Sequence, residues 1–116
     1  MEEFPVPNTT LLVDHYGGVY DSSTKSIINS ELIRIGQQVI RVRALVVNTY
    51  LSYGRIDLLK NVDKPVYLLT SPTGAKSYSV NLSEFCRDEG LDYKRMHKAC
   101  ETGYQTRDDW RVEVIN

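Results

Sequence analysis

Asn81, Gly90 and Asp92 constrain this chain more than any other residues, because together they delimit two short helices with almost nothing between them. Asn81 stands three residues before Glu84, the spacing of an N-cap and its reciprocal partner, and Leu82, Phe85 and Cys86 then fall on one helical face. Gly90 can take the left-handed conformation that ends a helix. Asp92 is placed to cap a second helix whose stripe is Tyr93, Met96 and Cys100, with Ala99 beside them. Upstream, the β-formers of Val66–Leu69 and Lys76–Val80 flank Ser71-Pro72-Thr73-Gly74, in which Pro72 presets a turn and Gly74 closes it, predicting a hairpin. Downstream, Trp110 to Val112 offers a closing strand. Hairpin, two short helices and a strand is an order that suits a small nucleic-acid-binding module.

The same periodicities predict the core of residues 65–116 as Val66, Leu68, Leu82, Phe85, Cys86, Leu91, Met96, Cys100 and Trp110. They leave Lys94, Arg95 and Lys98 together on the opposite face of the second helix, with His97 between them in sequence. Such a patch is either a phosphate-contacting surface or an ordinary solvated face. His97 in that setting reads as a backbone contact or a solvated residue rather than a metal ligand. Cys86 and Cys100 fall on the apolar faces of consecutive helices and read as buried thiols, with a disulfide or metal pair as the alternative.

The first half is less punctuated. Residues 1–8, with Pro5 and Pro7, read as an extended and poorly ordered lead; residues 9–53 as a β/α lobe; residues 54–64 as a connector with an apolar stretch, Ile56 to Leu59; and residues 65–116 as the module above. The fold class expected is therefore α+β. Arg41 and Arg43 alternate along an apparent strand and would share one face, with Ile40 and Val42 inward, which makes them a second cationic anchor or a solvated pair. Of the eight tyrosines, Tyr16, Tyr50, Tyr53 and Tyr104 are expected to be semi-exposed, as suits protein interfaces, and Tyr67 and Tyr78 to be strand residues.

Fourteen Lys and Arg against fifteen Asp and Glu give a net charge of −1 over 116 residues, without a basic surplus in either half. Duplex binders usually draw most of their affinity from phosphate neutralisation, so any DNA contact here has to come from local clusters. No apolar run approaches the roughly 20 residues of a membrane span, and the opening MEEFPVPN lacks the basic and apolar parts of a signal peptide, so a cytoplasmic protein is expected. No glycine-rich phosphate loop, Cys-x-x-Cys pair or nucleophile elbow is present, and no cofactor is expected.

Pro72 and Gly74, Leu82, Phe85 and Cys86, Gly90-Leu91, Tyr93 and Met96, and Trp110 together resemble the NUMOD-type helix-turn-helix modules at the C-termini of phage homing endonucleases of the HNH and GIY-YIG groups. The resemblance covers about the last fifty residues. Where that family carries a basic residue and a Gly before the Trp, this chain has Asp108 and Asp109. In the first half, Tyr16–Asn29 resembles the opening hairpin of the same enzymes and Val39–Leu51 the strand and helix that follow, with Arg43 and Ala44 standing where the pattern has His and Arg. The metal-dependent nuclease segment that follows in those enzymes has no counterpart between Leu51 and Lys64.

What the resemblance implies is a non-catalytic, phage-encoded DNA-binding regulator or accessory protein of the host cytoplasm, derived from a homing endonuclease and binding double-stranded DNA through Lys94, Arg95, His97, Lys98, Arg41 and Arg43. Metal-assisted cleavage needs a base and a cluster of ligands. Asp14-His15 is the one pair in the chain reminiscent of that chemistry, and its other reading is a strand end entering a Gly17-Gly18 turn. The alternative function is a protein-binding factor that attaches to and inhibits a host or phage enzyme, favoured by the near-neutral charge, Asp108 and Asp109, and the surplus of Tyr.

Overall fold

The computed structural model describes residues 2–116 and divides into two compact units, one ending at Asp63 and the other running Lys64–Asn116. Both mix antiparallel strands with helices, so the fold class is α+β.

In the first unit a sheet has the order β1 (Glu3–Pro5), β2 (Leu11–Asp14), β3 (Val19–Asp21), β4 (Ser26–Ile27), each strand antiparallel to the next. Leu11 and Val13 point inward from β2 while Leu12 and Asp14 are half-buried, the period-two pattern of a one-faced sheet. A separate ribbon pairs β5 (Leu32–Ile35) with β6 (Gln38–Arg41) and leads into helix α1 (Val42–Ser52) and a 3-10 helix over Ile56–Asn61.

Two expectations for this region are corrected. The lead is not loose: residues 3–5 pair with β2, and Phe4 and Val6 are buried. Pro5 is tolerated because β1 is an edge strand. The apolar stretch expected within residues 54–64 packs in the first unit: Leu58 and Leu59 are buried and the 3-10 helix lies against α1. Tyr50 is fully buried rather than semi-exposed: its hydroxyl donates to the Asp14 carbonyl at 2.6 Å, and its ring meets Phe4 edge-on at 5.9 Å. Burial pushes the Tyr50 phenol up to about 12.

Helix α1 also overturns the strand assigned through Val42 and Arg43. Its sequence, VRALVVNTYLS, is rich in β-branched residues, and Arg41 supplies no side-chain cap. The helix forms because Leu45, Val46, Val47, Thr49 and Tyr50 are all buried, packing that outweighs weak propensity. Thr49 satisfies its buried hydroxyl on the Leu45 carbonyl at 2.7 Å.

The second unit is written in local signals. Strands β7 (Tyr67–Thr70) and β8 (Lys76–Ser79) form the expected hairpin, with Gly74 at φ 89° in the turn. Helix α2 (Leu82–Glu89) starts where the Asn81 side chain accepts the Glu84 N–H at 2.9 Å and stops at Gly90, φ 68°. Helix α3 (Tyr93–Thr102) starts where Asp92 accepts the N–H groups of Lys94 and Arg95. Strand β9 (Arg111–Val114) closes the sheet in the order β8-β7-β9.

The core here is Leu69, Leu82, Cys86, Met96, Ala99 and Val112, with Tyr67, Phe85, Leu91, Cys100 and Trp110 half-buried around it. Val66 is buried as expected, but Leu68 is not a core residue. Tyr67 and Leu69 share a face with Val112 across the sheet, and because the side-chain period is two, Leu68 must turn the other way. Val66 lies just before β7, so it does not set the inward register. Both cysteines are free thiols in this one cluster, and burial pushes both pKa values up, away from the reactive thiolate.

Candidate nucleic-acid interface

Helix α3 buries Met96 and Ala99 and leaves Lys94, Arg95, His97 and Lys98 exposed, so one short element both packs and presents cations. Acidic residues are interleaved with them. His97 Nδ1 lies 3.2 Å from Glu101 and Arg95 Nε lies 3.9 Å from Asp92. Exposed pairs of this kind are worth about 0–1 kcal/mol, so neither would hold its cation away from a phosphate.

Arg95 and Lys98 also line a cleft of about 300 Å³ between α3 and the loop that follows it, whose walls include Thr102, Tyr104, Thr106 and Arg107. Arg107 was not singled out in the sequence. The available signal was Gly103, a C-cap residue at φ 75° that turns the chain back beside the helix it has just left. The loop is ordered by its own hydrogen bonds: Thr106 N–H donates to the Trp110 carbonyl at 2.9 Å, and Trp110 N–H to Thr106 Oγ1 at 3.1 Å. Asp109 sits at φ 66°, the left-handed region, so the Asp found where the resembled modules carry Gly keeps a backbone that Gly takes more easily.

The Arg41–Arg43 pair is not brought together as expected. Arg41 ends β6, whereas Arg43 lies in the first turn of α1, so no strand alternation relates them. The register Leu32↔Arg41 and Arg34↔Val39 instead places Arg34 and Arg41 on one face of the ribbon. Ile33, Ile35 and Ile40 occupy the other, half-buried face. Arg34 was thus the strand partner that residue-by-residue reading missed, because it depends on where the hairpin turns.

Asp14 and His15 are held in the turn between β2 and β3. Asp14 Oδ1 accepts the N–H groups of Tyr16 at 2.8 Å and Gly18 at 2.9 Å, and His15 Nδ1 accepts the Glu2 N–H at 3.0 Å. Among the described residues, no three His, Cys, Asp or Glu side chains gather as a metal-binding group would. No helix among them is long and apolar enough to cross a membrane.

No family model matches the chain, and no curated protein matches it. Among solved structures it is similar to a chain from a study of DNA binding and cleavage by the HNH homing endonuclease I-HmuI, at 12% identity over 98% of either chain and a TM-score of 0.39. That identity and superposition are too low to transfer a role to any residue.

Proposed function

We propose that this is a non-catalytic DNA-binding protein, a phage-encoded regulator or accessory factor of the host cytoplasm that engages duplex DNA through α3. The observation that carries the reading is the division of α3 into a face buried on Met96 and Ala99 and a face exposing Lys94, Arg95 and Lys98. Helix-turn-helix order with α2, and the residues from Pro72 to Trp110 that resemble endonuclease-associated modules, support the same reading. Phosphates contacted by this face would fix position without reading sequence.

The test is a gel-shift series on random duplex DNA at two salt concentrations. Lys94→Ala with Lys98→Ala should flatten the salt dependence of log K by about 1.8, since each phosphate contact contributes roughly 0.9. No binding by the parent at low salt would overturn the reading. Its non-catalytic part is tested by incubating supercoiled plasmid with magnesium, manganese or zinc: cutting that His15→Ala abolishes would make the protein a nuclease.

A second reading, attachment to and inhibition of a host or phage enzyme, is favoured by one observation. Glu101 and Asp92 are interleaved with the cations of α3 in a chain of net charge −1. A pull-down in which an acidic partner is lost with the Lys94/Lys98 double variant, beside a failed gel shift, would establish it.

A further inference from the structure

Tyr104 is 77% exposed, so its ring adds almost nothing to the core, yet the loop that carries it is fixed at both ends. Gly103 N–H donates to the Ala99 carbonyl at 3.0 Å, and Tyr104 N–H to Thr102 Oγ1 at 3.3 Å. At the far end Trp110 is anchored edge-on against Phe85 at 5.9 Å. A large aromatic carried on a loop with a hydrogen-bonded backbone is open to a ligand, and the backbone part of the ordering cost on contact is reduced.

The chemistry of that ligand follows from the rest of the cleft. Its ionisable lining residues besides Tyr104 are Arg95, Lys98 and Arg107, all cationic, in a chain whose overall charge is −1. Even with Asp92 3.9 Å from Arg95, three unit charges outweigh that one exposed carboxylate and the roughly half negative charge that the C-terminal end of α3 contributes. Thr102 and Thr106 add hydroxyls. Cations for a phosphate beside an open ring for stacking is the pairing by which proteins hold single-stranded nucleic acid. A volume of about 300 Å³ is at the small end for ligand sites, which fits one nucleotide and not a strand.

We propose that this cleft takes one unpaired nucleotide of a DNA strand, with its base stacked on Tyr104 and its phosphate held by Arg95, Lys98 and Arg107. The proposal rests on the DNA-binding reading and adds to it a preference for DNA with a single-stranded or frayed segment. Lys94 and His97 do not line the cleft, so the outer surface of α3 and the cleft are separable by mutation.

The experiment is fluorescence anisotropy of labelled oligo(dT) and of a blunt random duplex with the full chain. Tyr104→Ala should weaken oligo(dT) binding roughly 5- to 150-fold, the equivalent of losing one base–aromatic stack, and change duplex binding less than twofold. Tyr104→Phe should restore oligo(dT) binding, and Arg107→Ala should lower its salt slope by about 0.7. Duplex binding without oligo(dT) binding, or equal losses on both from Tyr104→Ala, would overturn the cleft proposal and leave the duplex reading standing. Failure of both ligands would remove both. Poly-glutamate competing as well as oligo(dT) at equal charge would overturn it in favour of an acidic peptide.

Discussion

The unit ending at Asp63 is closed by side chains that reach across the sequence, whereas Lys64–Asn116 starts from hydrogen bonds only a few residues long. In the first unit Tyr50 reaches the Asp14 carbonyl 36 residues away, Asn61 the His15 carbonyl 46 away, Tyr53 the Pro5 carbonyl 48 away, and Arg55 the Glu2 carboxylate 53 away. In the second unit Asn81 caps Glu84 three residues on, and Asp92 caps residues two and three on. Local bonds mark where an element begins and ends without needing a distant partner, although helices as short as α2 and α3 still depend on packing for stability. Long-range bonds specify an element only once the rest is in place. The contrast is of degree, for Asn116 also clasps the start of the second unit, accepting the Val66 N–H and donating to the Lys64 carbonyl.

If that contrast is right, the first unit should be most sensitive at its long-range hub. Tyr50→Ala removes a fully buried ring and should cost about 3 to 5 kcal/mol, read as lost hydrogen-exchange protection in α1 and β2. Tyr50→Phe removes only the bond to Asp14 and should cost about 1 kcal/mol. A cost near zero for Tyr50→Ala would mean that α1 is held by its own propensity, and the comparison would collapse.

In the second unit the largest effect should come from Met96, which is 1% exposed. Met96→Ala should cost about 2 to 5 kcal/mol in urea denaturation. Phe85→Ala, at a position that periodicity assigns to the core, should cost less than the usual 3 kcal/mol or more, because the ring is half-buried and packs edge-on against Trp110. Equal costs would show that the half-buried shell matters as much as the centre.

The same distinction explains what was legible. Asn81, Gly90 and Asp92 announce both helices because capping needs a particular side chain or a left-handed φ at a particular place. No cap in VRALVVNTYLS marks where α1 begins: the resemblance implied a strand and then a helix within Val39–Leu51, and only the burial of Leu45, Val46, Val47, Thr49 and Tyr50 decides that the helix starts at Val42. Leu68 and Leu69 are interchangeable to a reader of one strand, and the pairing with β9 decides between them. The cations of α3 were readable as one face, while Arg107 and Arg34 needed, respectively, the return of a loop and the position of a hairpin turn.

Single caps should matter less than buried side chains, but act locally. Asn81→Ala and Asp92→Ala should each cost about 1 kcal/mol, and each should raise exchange first at the amides it caps, Glu84 in one case and Lys94 with Arg95 in the other. Uniform loosening of the whole second unit would show that its helices are no more autonomous than α1.

The smallest effect expected is electrostatic, and it belongs to the first unit. Arg55 hydrogen-bonds both Glu2 and Asp57, which lowers the pKa of each carboxyl, and it also lies over the Phe4 ring at 5.7 Å. A carboxyl whose pKa is lower in the folded state stays ionised there to a lower pH than in the unfolded chain. Unfolding in acid therefore takes up protons, and the contribution is present above the ordinary values of 4.5 and 3.8 and lost as pH falls through the folded ones. Because these groups are solvent-accessible, salt should weaken the effect. Measured as stability between about pH 5 and pH 3, the slope for the parent should be shallower in Arg55→Met, which keeps an apolar chain over Phe4 but removes the donor. An identical slope in the variant would mean that this clasp over 53 residues follows the fold of the first unit and does not help to fix it.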